Sequence, residues 1–481
     1  MRGELDRPAH GLTIDSRAVE PGWIFVALPG RRVDGHRFVP GLSQAAAVVV
    51  ERDVEAPAGV TVLRFPNTRK ALPHLAAAFH GFPGERVGVG GVTGTNGKTT
   101  VTFLAAAALD AAGRRCGVVG TTGNLSGGAG LDEEALAGRG VLAHHHTTPE
   151  AHLLQALLAR MADEGCDDVL MEVSSIGLDA FRADAIPYRV AGYTNLTRDH
   201  LDYHGDMERY ARAKQRLFHE LLPADGLAVL NRDDPAWERF RPAHARTWTY
   251  GIERGDLRVA ELHLGAGGTR ARVHTPLGSG HLALPLVGRH NLSNGLCALG
   301  MALGLGAPLE AALAGLARSR GAPGRLEPVP HAAGARVFVD FAHTPDALER
   351  VLACLAELRG GRLLTVFGCG GDRDPGKRAP MGAAARAGSD LVFVTSDNPR
   401  SEPPLAIIEQ ILAGIPDAGR DAGVVVEPDR AAAIRLALRE AGPEDIVLLA
   451  GKGHETTQEL ADRVIPFDDR VVARAILEEA P

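Results

Sequence analysis

Short apolar runs separated by stretches of helical period organise this chain into repeated strand–helix units. The clearest case joins the apolar run Val87–Val92 to the Ala-rich helical run Val101–Ala112 through Thr93-Gly94-Thr95-Asn96-Gly97-Lys98-Thr99-Thr100. Ahead of it, β-like runs lie at Trp23–Leu28, Ala46–Val50 and Val60–Phe65, and this first region ends at Phe82-Pro83-Gly84. The middle region continues as alternating strands and helices. It has strands at Gly117–Thr121, Asp168–Val173 and Arg189–Thr194, helices at Glu150–Ala162 and Met207–Leu222, and a turn-rich close at Gly321-Ala322-Pro323-Gly324. In the last region, strands at Arg336–Phe341, Leu363–Phe367, Leu391–Thr395, Gly423–Val426 and Ile446–Ala450 alternate with apolar helical patterns. That alternation predicts a mostly parallel sheet with helices on both faces. The expectation is an α/β chain of three domains, 1–84, 85–324 and 325–481, without internal repeats. The glycine-rich segment 126–140 is expected to be a mobile loop.

Length and composition narrow the class. A chain of 481 residues holds two to four ordinary domains, and 45% hydrophobic with 23% charged residues is globular material. No apolar run reaches the roughly 18 residues that suggest a membrane span, and the opening MRGELDRPAH lacks the apolar core of a signal peptide. A net charge of −7 gives no bulk attraction to nucleic acid. Cys116, Cys166, Cys297, Cys354 and Cys369 are scattered and odd in number, with no C-x-x-C pair. They read as reduced thiols of a cytoplasmic protein.

Three stretches carry chemistry. A strand, a glycine turn and a helix start form a polyphosphate cradle from Gly94, Thr95, Asn96, Gly97, Lys98, Thr99 and Thr100. Backbone N–H groups and the helix dipole face the anion, Lys98 adds a point charge, and the Thr99 hydroxyl can ligate Mg²⁺. Val92 stands where the general phosphate loop has its first glycine, so this is a tighter form. Glu172 is the one carboxylate near the end of the apolar strand Asp168–Val173. Burying it implies a metal or a basic partner. The polar loop Thr194-Asn195-Leu196-Thr197-Arg198-Asp199-His200-Leu201-Asp202-Tyr203-His204-Gly205 has two readings, a second metal site or a hydrogen-bonded structural turn. His144-His145-His146 has no accompanying Cys or acid and reads as polar loop before the helix start at Thr147-Thr148-Pro149-Glu150. Lys214, by pattern alone, is a solvated helix lysine.

Read in order, these motifs resemble those of the Mur ligases, ATP-dependent enzymes that build the peptide of the bacterial cell wall. The similarity runs from Gly94–Thr100 through the strand end at Glu172, the loop 194–205 and Gly288–Asn294 to Pro323–Glu327 and Val339–Leu348. It then takes in Phe367–Asp374, Asp397-Asn398-Pro399-Arg400 and Gly451-Lys452-Gly453-His454-Glu455, and so covers most of the chain. The resemblance implies a uridine-diphosphate module, a central phosphate-loop domain and a C-terminal Rossmann-like domain. It implies an ATP-driven ligation in which a γ-carboxylate becomes an acyl phosphate and is attacked by an amine. Thr99, Glu172, His200 and Lys214 (as a carbamate) would complete Mg²⁺ sites. Asn291, Asn294, Arg325, Asp340 and His343 would serve the nucleotide. Ile14, Ser16, Arg31, Arg32, Thr147, Thr148, Ser174 and Arg182 would hold a UDP-muramoyl-peptide.

The last three motifs resemble the diaminopimelate-adding branch of the family. Meso-diaminopimelate has a zwitterionic far end, which needs a cation for its carboxylate and an anion for its ammonium. Arg373 and Arg400 fit the first need and Glu455 the second, with Asp397, Asn398, Pro399 and Gly451 around them. Three positions depart from the family pattern: Ile176-Gly177, Ala180 and His146, all toward the muramoyl-peptide. A monomer with small-molecule substrates, without nucleic acid or membrane, is expected. A folylpolyglutamate synthase would lack the first module, and a degenerate binding protein would have lost Lys98, Glu172, His200 or Lys214, all of which are present.

Overall fold

The computed structural model describes residues 8–30, 33–127, 129–130, 147–265, 268–329, 334–416 and 422–479. Two compact units emerge. One is drawn from the residues up to Leu262 with Ala271–Ala283 and Ser293–Ser319; the other from His263–Arg270, Leu284–Leu292 and the residues from Arg320 onward. Arg31, Arg32 and the His144–His146 run lie outside the described residues, as does most of the glycine-rich loop 126–140.

In the first unit, β1 (Gly11–Thr13), β2 (Trp23–Val26), β3 (Ala47–Val50) and β4 (Thr61–Arg64) form a parallel sheet in chain order. Alternate residues separate its two faces. Phe25, Val48 and Val50 enter one core, while Val26 and Val49 join another with Leu72 of the helix Thr68–Phe79 and Ala151 of the helix Ala151–Asp163. The larger sheet has β5 (Gly88–Thr93), β6 (Cys116–Gly120), β7 (Gly123–Ser126), β8 (Ala129–Gly130), β9 (Asp168–Glu172), β10 (Tyr188–Tyr193), β11 (Leu227–Asn231) and β12 (Arg246–Gly251). Its centre runs β12-β11-β10-β5-β9-β6, all parallel.

Two expectations for this region need correction. The strand–helix alternation stops after β11: β12 is followed by β13 (Leu257–Gly265), β14 (Gly268–Thr275) and β15 (Gly278–Leu284) with no helix among them. Their residues alternate instead, buried Thr269, Ala271 and Val273 against exposed Arg270 and Arg272, the period of a sheet with one face in water. The helix expected over Met207–Leu222 is α-helical only to Arg216 and closes in a π turn, Leu217–Leu221. Leu217 and Phe218 of that turn are buried in the main core.

The second unit is a six-stranded sheet of β16 (Glu327–Pro328), β17 (Arg336–Asp340), β18 (Leu363–Phe367), β19 (Leu391–Val394), β20 (Val424–Val426) and β21 (Ile446–Ala450). The order is β16-β17-β21-β18-β19-β20, parallel except for the antiparallel edge β16. Alternate side chains of one strand enter opposite cores. Leu448 and Ala450 pack with Leu348, Leu352, Met381 and Ile408, and Val447 and Leu449 pack with Ala433, Ile434, Ala473 and Ile476. Helices therefore cover both faces, and the continuous apolar run Ile446–Ala450 is explained. A small antiparallel pair, β22 (Thr457–Glu459) and β23 (Val464–Pro466), follows β21.

Candidate active site

The phosphate loop leaves the C-terminal end of β5 and enters the helix Lys98–Ala111. Two of its glycines are dictated by space as well as by angle. Gly94 has φ 149° and Gly97 φ 89°. A Cβ at Gly94 would lie 1.8 Å from Thr194 Oγ1, and one at Gly97 would lie 2.3 Å from Asn294 Oδ1. No side chain caps the helix start at Gly97, so its N–H groups remain available to an anion. Lys98 is folded onto its own loop, with Nζ donating to Gly94 O at 3.0 Å and Thr95 O at 2.9 Å.

Residues about a hundred positions downstream brace this loop. Asn195 Oδ1 accepts from Asn96 N at 3.0 Å, and Thr194 Oγ1 donates to Asn96 O at 2.6 Å. Thr95 Oγ1 donates to Thr197 O at 3.1 Å and accepts from Thr197 N at 3.0 Å, with Tyr210 OH also 3.0 Å away. One donor bond and two acceptor bonds exhaust that hydroxyl. For Thr194–Thr197 the structural-turn reading of the polar loop holds. Further along, His200 has φ 51° and its Nε2 lies 3.4 Å from Asp199 Oδ2.

Glu172 ends β9, in register with Val92 of β5, and its carboxylate sits at the end of β6, against Gly120 and Thr121. It is 1% exposed. The basic partner expected from sequence is not there: Glu172 forms no ion pair among the described residues. Thr121 satisfies it with neutral donors, N to Oε1 at 2.9 Å and Oγ1 to Oε2 at 3.3 Å. Reading Lys214 as a solvated helix lysine also fails, because the side chain is 1% exposed. Its Nζ donates to Gly94 O at 2.7 Å and lies 4.6 Å from the centre of the Tyr210 ring. Burial, reinforced by the nearby Lys98 charge, holds its pKa well below the usual lysine value. A buried neutral amine is the form that takes up CO₂. The oxygen donors Thr99 and Glu172, with Lys214 as a carbamate, are a chemically suitable set for Mg²⁺.

The residues assigned to a muramoyl-peptide form one network at the end of β9. Thr148 Oγ1 donates to Glu172 O at 2.9 Å and accepts from Ser174 N at 2.9 Å. Ser174 caps the short helix Ser175–Asp179 through Gly177 N at 3.0 Å. Thr147 Oγ1 lies 3.1 Å from Thr121 Oγ1. Arg182 pairs with Glu150 at 2.6 Å and donates to Thr148 O at 3.2 Å. In the first module, Ser16 opens a single 3₁₀ turn capped by Asp15, and Ile14 packs against the core containing Leu12 and Leu72.

In the second unit, Asp340 ends β17 and accepts from Leu326 N at 2.6 Å. Burial raises its carboxyl to about 6, against the pull of Arg325. Arg325 lies 5.1 Å over the Phe341 ring, and His343 Nδ1 is 2.8 Å from Phe341 O. Asn291 is buried, its Nδ2 donating to Val287 O at 2.9 Å. The residues assigned to diaminopimelate converge, with exposed Arg373 and half-buried Arg400 both bordering Gly370. Asn398 Nδ2 donates to Glu455 Oε2 at 2.8 Å, and Arg400 Nε to Glu459 Oε2 at 2.6 Å. Fully buried Lys452 reaches Glu455 Oε2 at 3.0 Å, Asn398 Oδ1 at 3.2 Å and Asp397 Oδ1 at 3.8 Å. Beneath them, Arg430 and Asp469, both fully buried, make a two-pronged pair at 2.8 and 2.6 Å.

Known proteins carry the same pattern. Three family models match in sequence: the Mur ligase family catalytic domain over residues 8–80, the Mur ligase middle domain over 92–302, and the Mur ligase glutamate ligase domain over 324–453. A relative from Geobacter sulfurreducens is 42% identical, covering 99% of this chain and 96% of its own length. A second, from Gloeobacter violaceus, is 44% identical over 98% and 94%. The chain belongs to the Mur ligase family. Both relatives are named UDP-N-acetylmuramoyl-L-alanyl-D-glutamate–2,6-diaminopimelate ligase, as is a solved structure 34% identical with TM-score 0.69, covering 99% of this chain and 97% of its own. A Mycobacterium tuberculosis folylpolyglutamate synthase complexed with ADP and AMPPCP shares the fold at 20% identity and TM-score 0.63, over 85% of this chain.

Within this Mur ligase, sequence reasoning passed over several residues that hold the site. Asn195, Thr197 and Tyr210 shape the phosphate loop, and Lys452 and Glu459 shape the 397–400 turn. A lysine inside Gly451–Glu455, flanked by glycines and followed by a glutamate three residues on, was the available signal for Lys452.

Proposed function

We propose that this chain joins meso-diaminopimelate to the D-glutamyl γ-carboxylate of UDP-N-acetylmuramoyl-L-Ala-D-Glu, using ATP, in peptidoglycan precursor synthesis. The observation that carries the reading is the turn 397–400. It brings Arg400, Asn398 and Glu455 together in a chain that matches diaminopimelate ligases over nearly its whole length. Full-length similarity includes the module at residues 8–80, which argues for a uridine-nucleotide acceptor.

The chemistry divides between the two units. A carboxylate is a poor electrophile at neutral pH, so the γ-carboxylate must first take the γ-phosphoryl group of ATP. The open N–H groups after Gly97 and the Lys98 ammonium bind the polyphosphate and stabilise charge on the transferring group. Lys98 would exchange its two loop carbonyls for phosphate oxygens. Thr99, Glu172, His200 and carbamylated Lys214 would hold Mg²⁺, which when bound neutralises phosphate charge. Asn294 and Asn291, with Arg325, Asp340 and His343, would serve the nucleotide. Thr147, Thr148, Ser174 and Arg182 would orient the acceptor peptide, and Ile14, Ser16, Arg31 and Arg32 its uridine-diphosphate end. In the second unit Arg400 and Arg373 take the far carboxylate of diaminopimelate and Glu455 its ammonium. The remaining amine then attacks the acyl phosphate and phosphate leaves.

A competition assay tests this reading. The protein is given the UDP-muramoyl-dipeptide, ATP, Mg²⁺ and equal concentrations of meso-diaminopimelate and L-lysine. The diaminopimelate adduct is expected to dominate by at least about a hundredfold, as a lost bidentate carboxylate contact implies. Faster turnover with lysine would remove the assignment.

A further inference from the structure

Arg400 is the group asked to read a carboxylate, yet one already holds it. Its Nε donates to Glu459 Oε2 at 2.6 Å and its Nη1 to Gly371 O at 2.9 Å. Nη2 has no protein acceptor among the described residues. Two of the three guanidinium nitrogens are thus held, and Nη2 is open. Its backbone is equally constrained, with φ 50° at a non-glycine residue, a conformation that persists only where surroundings impose it.

Those surroundings are β22. Arg400 N donates to Glu459 O at 3.1 Å, and Glu459 N donates to Asn398 Oδ1 at 3.0 Å. Gln458 Nε2 donates to Asp397 O at 2.6 Å. Two consecutive residues of one short strand therefore template three of the four residues in the 397–400 turn. Glu459 is half-exposed, at 45% for its side chain, while Arg400 is at 20%. An ion pair that exposed contributes little to stability, so its geometry matters more than its energy.

We infer that Glu459 is a positioning residue for amine selection. It sets the roll of the Arg400 guanidinium so that the Nη2 edge faces the substrate carboxylate. Glu459 itself touches no reacting atom. The inference rests on the proposed diaminopimelate ligase activity and extends it to a residue outside the Asp397–Arg400 and Gly451–Glu455 motifs.

The test uses the full-length protein and separates amine recognition from everything else. Steady-state kinetics are measured for wild type, Glu459→Ala and Glu459→Gln, varying in turn diaminopimelate, ATP and the UDP-muramoyl-dipeptide, with L-lysine as a second amine. For Glu459→Ala the KM for diaminopimelate should rise about tenfold, the scale of one charge-assisted hydrogen bond. The KM values for ATP and the dipeptide, the kcat and the kcat/KM for lysine should stay within roughly twofold, since none uses the Arg400 edge. Glu459→Gln keeps an acceptor at the same place and should recover most of the loss. An unchanged or lowered diaminopimelate KM in Glu459→Ala overturns the inference, as does a parallel rise for all three substrates. If Glu459→Ala does not fold, Glu459→Gln and Glu459→Asp decide. Near-normal KM for Gln with an elevated one for the shortened Asp supports positioning, and equal values for both overturn it. Wild-type protein that fails to use diaminopimelate defeats the activity itself, a result distinct from a silent Glu459 substitution in an active enzyme.

Discussion

The phosphate loop of the first unit and the 397–400 turn of the second are held by opposite means. Around Gly94–Thr100 the scaffold is neutral, made of Thr194, Asn195, Thr197, Tyr210 and backbone carbonyls. Even the buried acid at the end of β9, Glu172, is satisfied by Thr121. Around Asp397–Arg400 the scaffold is ionic: Arg430–Asp469, Lys452–Glu455 and Arg400–Glu459. The difference suits the ligand proposed for each. A polyphosphate brings several negative charges, so local anions would oppose it and cation charge is best left unmatched. A zwitterion brings one charge of each sign, and its readers must be held apart and aimed, which pre-paired side chains accomplish.

Unpairing the ionic scaffold should have the largest effect. Arg430→Met leaves Asp469 buried without its partner and should destabilise the second unit by about 3–5 kcal/mol. Hydrogen exchange is the suitable probe: protection of β21 should fall while that of β5 persists, since these strands lie in separate units. Equal loss in both strands would show that the two scaffolds are not independent.

Lys98→Ala attacks the neutral side. ADP release with acceptor and amine should drop about 10²–10³-fold, or roughly 3–4 kcal/mol of transition-state stabilisation. The unfolding midpoint should barely move, because the Lys98 ammonium bonds carbonyls of its own loop, Gly94 O and Thr95 O, and joins no distant element through them. Tryptophan fluorescence can follow it, as Trp23, Trp237 and Trp248 all belong to the first unit.

Asp340 offers a pH-resolved test in the second unit. Its folded pKa, about 6, lies above the value near 3.9 of an unfolded aspartate. The unfolded state therefore releases this proton first as pH rises, and ionisation costs the native state stability between about pH 4 and 6. Asp340→Asn should gain stability over wild type by about 2–3 kcal/mol at pH 7, shrinking toward zero near pH 4. A difference independent of pH would contradict the raised carboxyl. At the small end, Thr95→Val removes a saturated hydroxyl and should cost about 1 kcal/mol of stability in chemical denaturation with a modest rise in KM for ATP.

What the sequence made legible was local. The phosphate loop, the strand carrying Glu172 and the apolar runs of the second unit each rest on residues close together in the chain, and their periodicity exposes them. What stayed hidden was assembled at long range. Tyr210 meets Thr95 from 115 positions away and Glu459 meets Arg400 from 59. No spacing rule reaches that far. The run β12–β15 was missed for another reason: its alternation of charged and apolar residues is weak beside the strand–helix pattern that precedes it. Of the two partners that burial of Glu172 implied, a metal or a basic side chain, the basic one is absent among the described residues, where Thr121 supplies neutral donors.

Phosphorylation of the acceptor carboxylate is the step on which amide formation depends. UDP-muramoyl-dipeptide labelled with ¹⁸O in its γ-carboxylate, turned over with ATP and diaminopimelate, tests it directly. One labelled oxygen per turnover should appear in the inorganic phosphate. Phosphate free of label, alongside normal amide formation, would mean that the carboxylate is never phosphorylated.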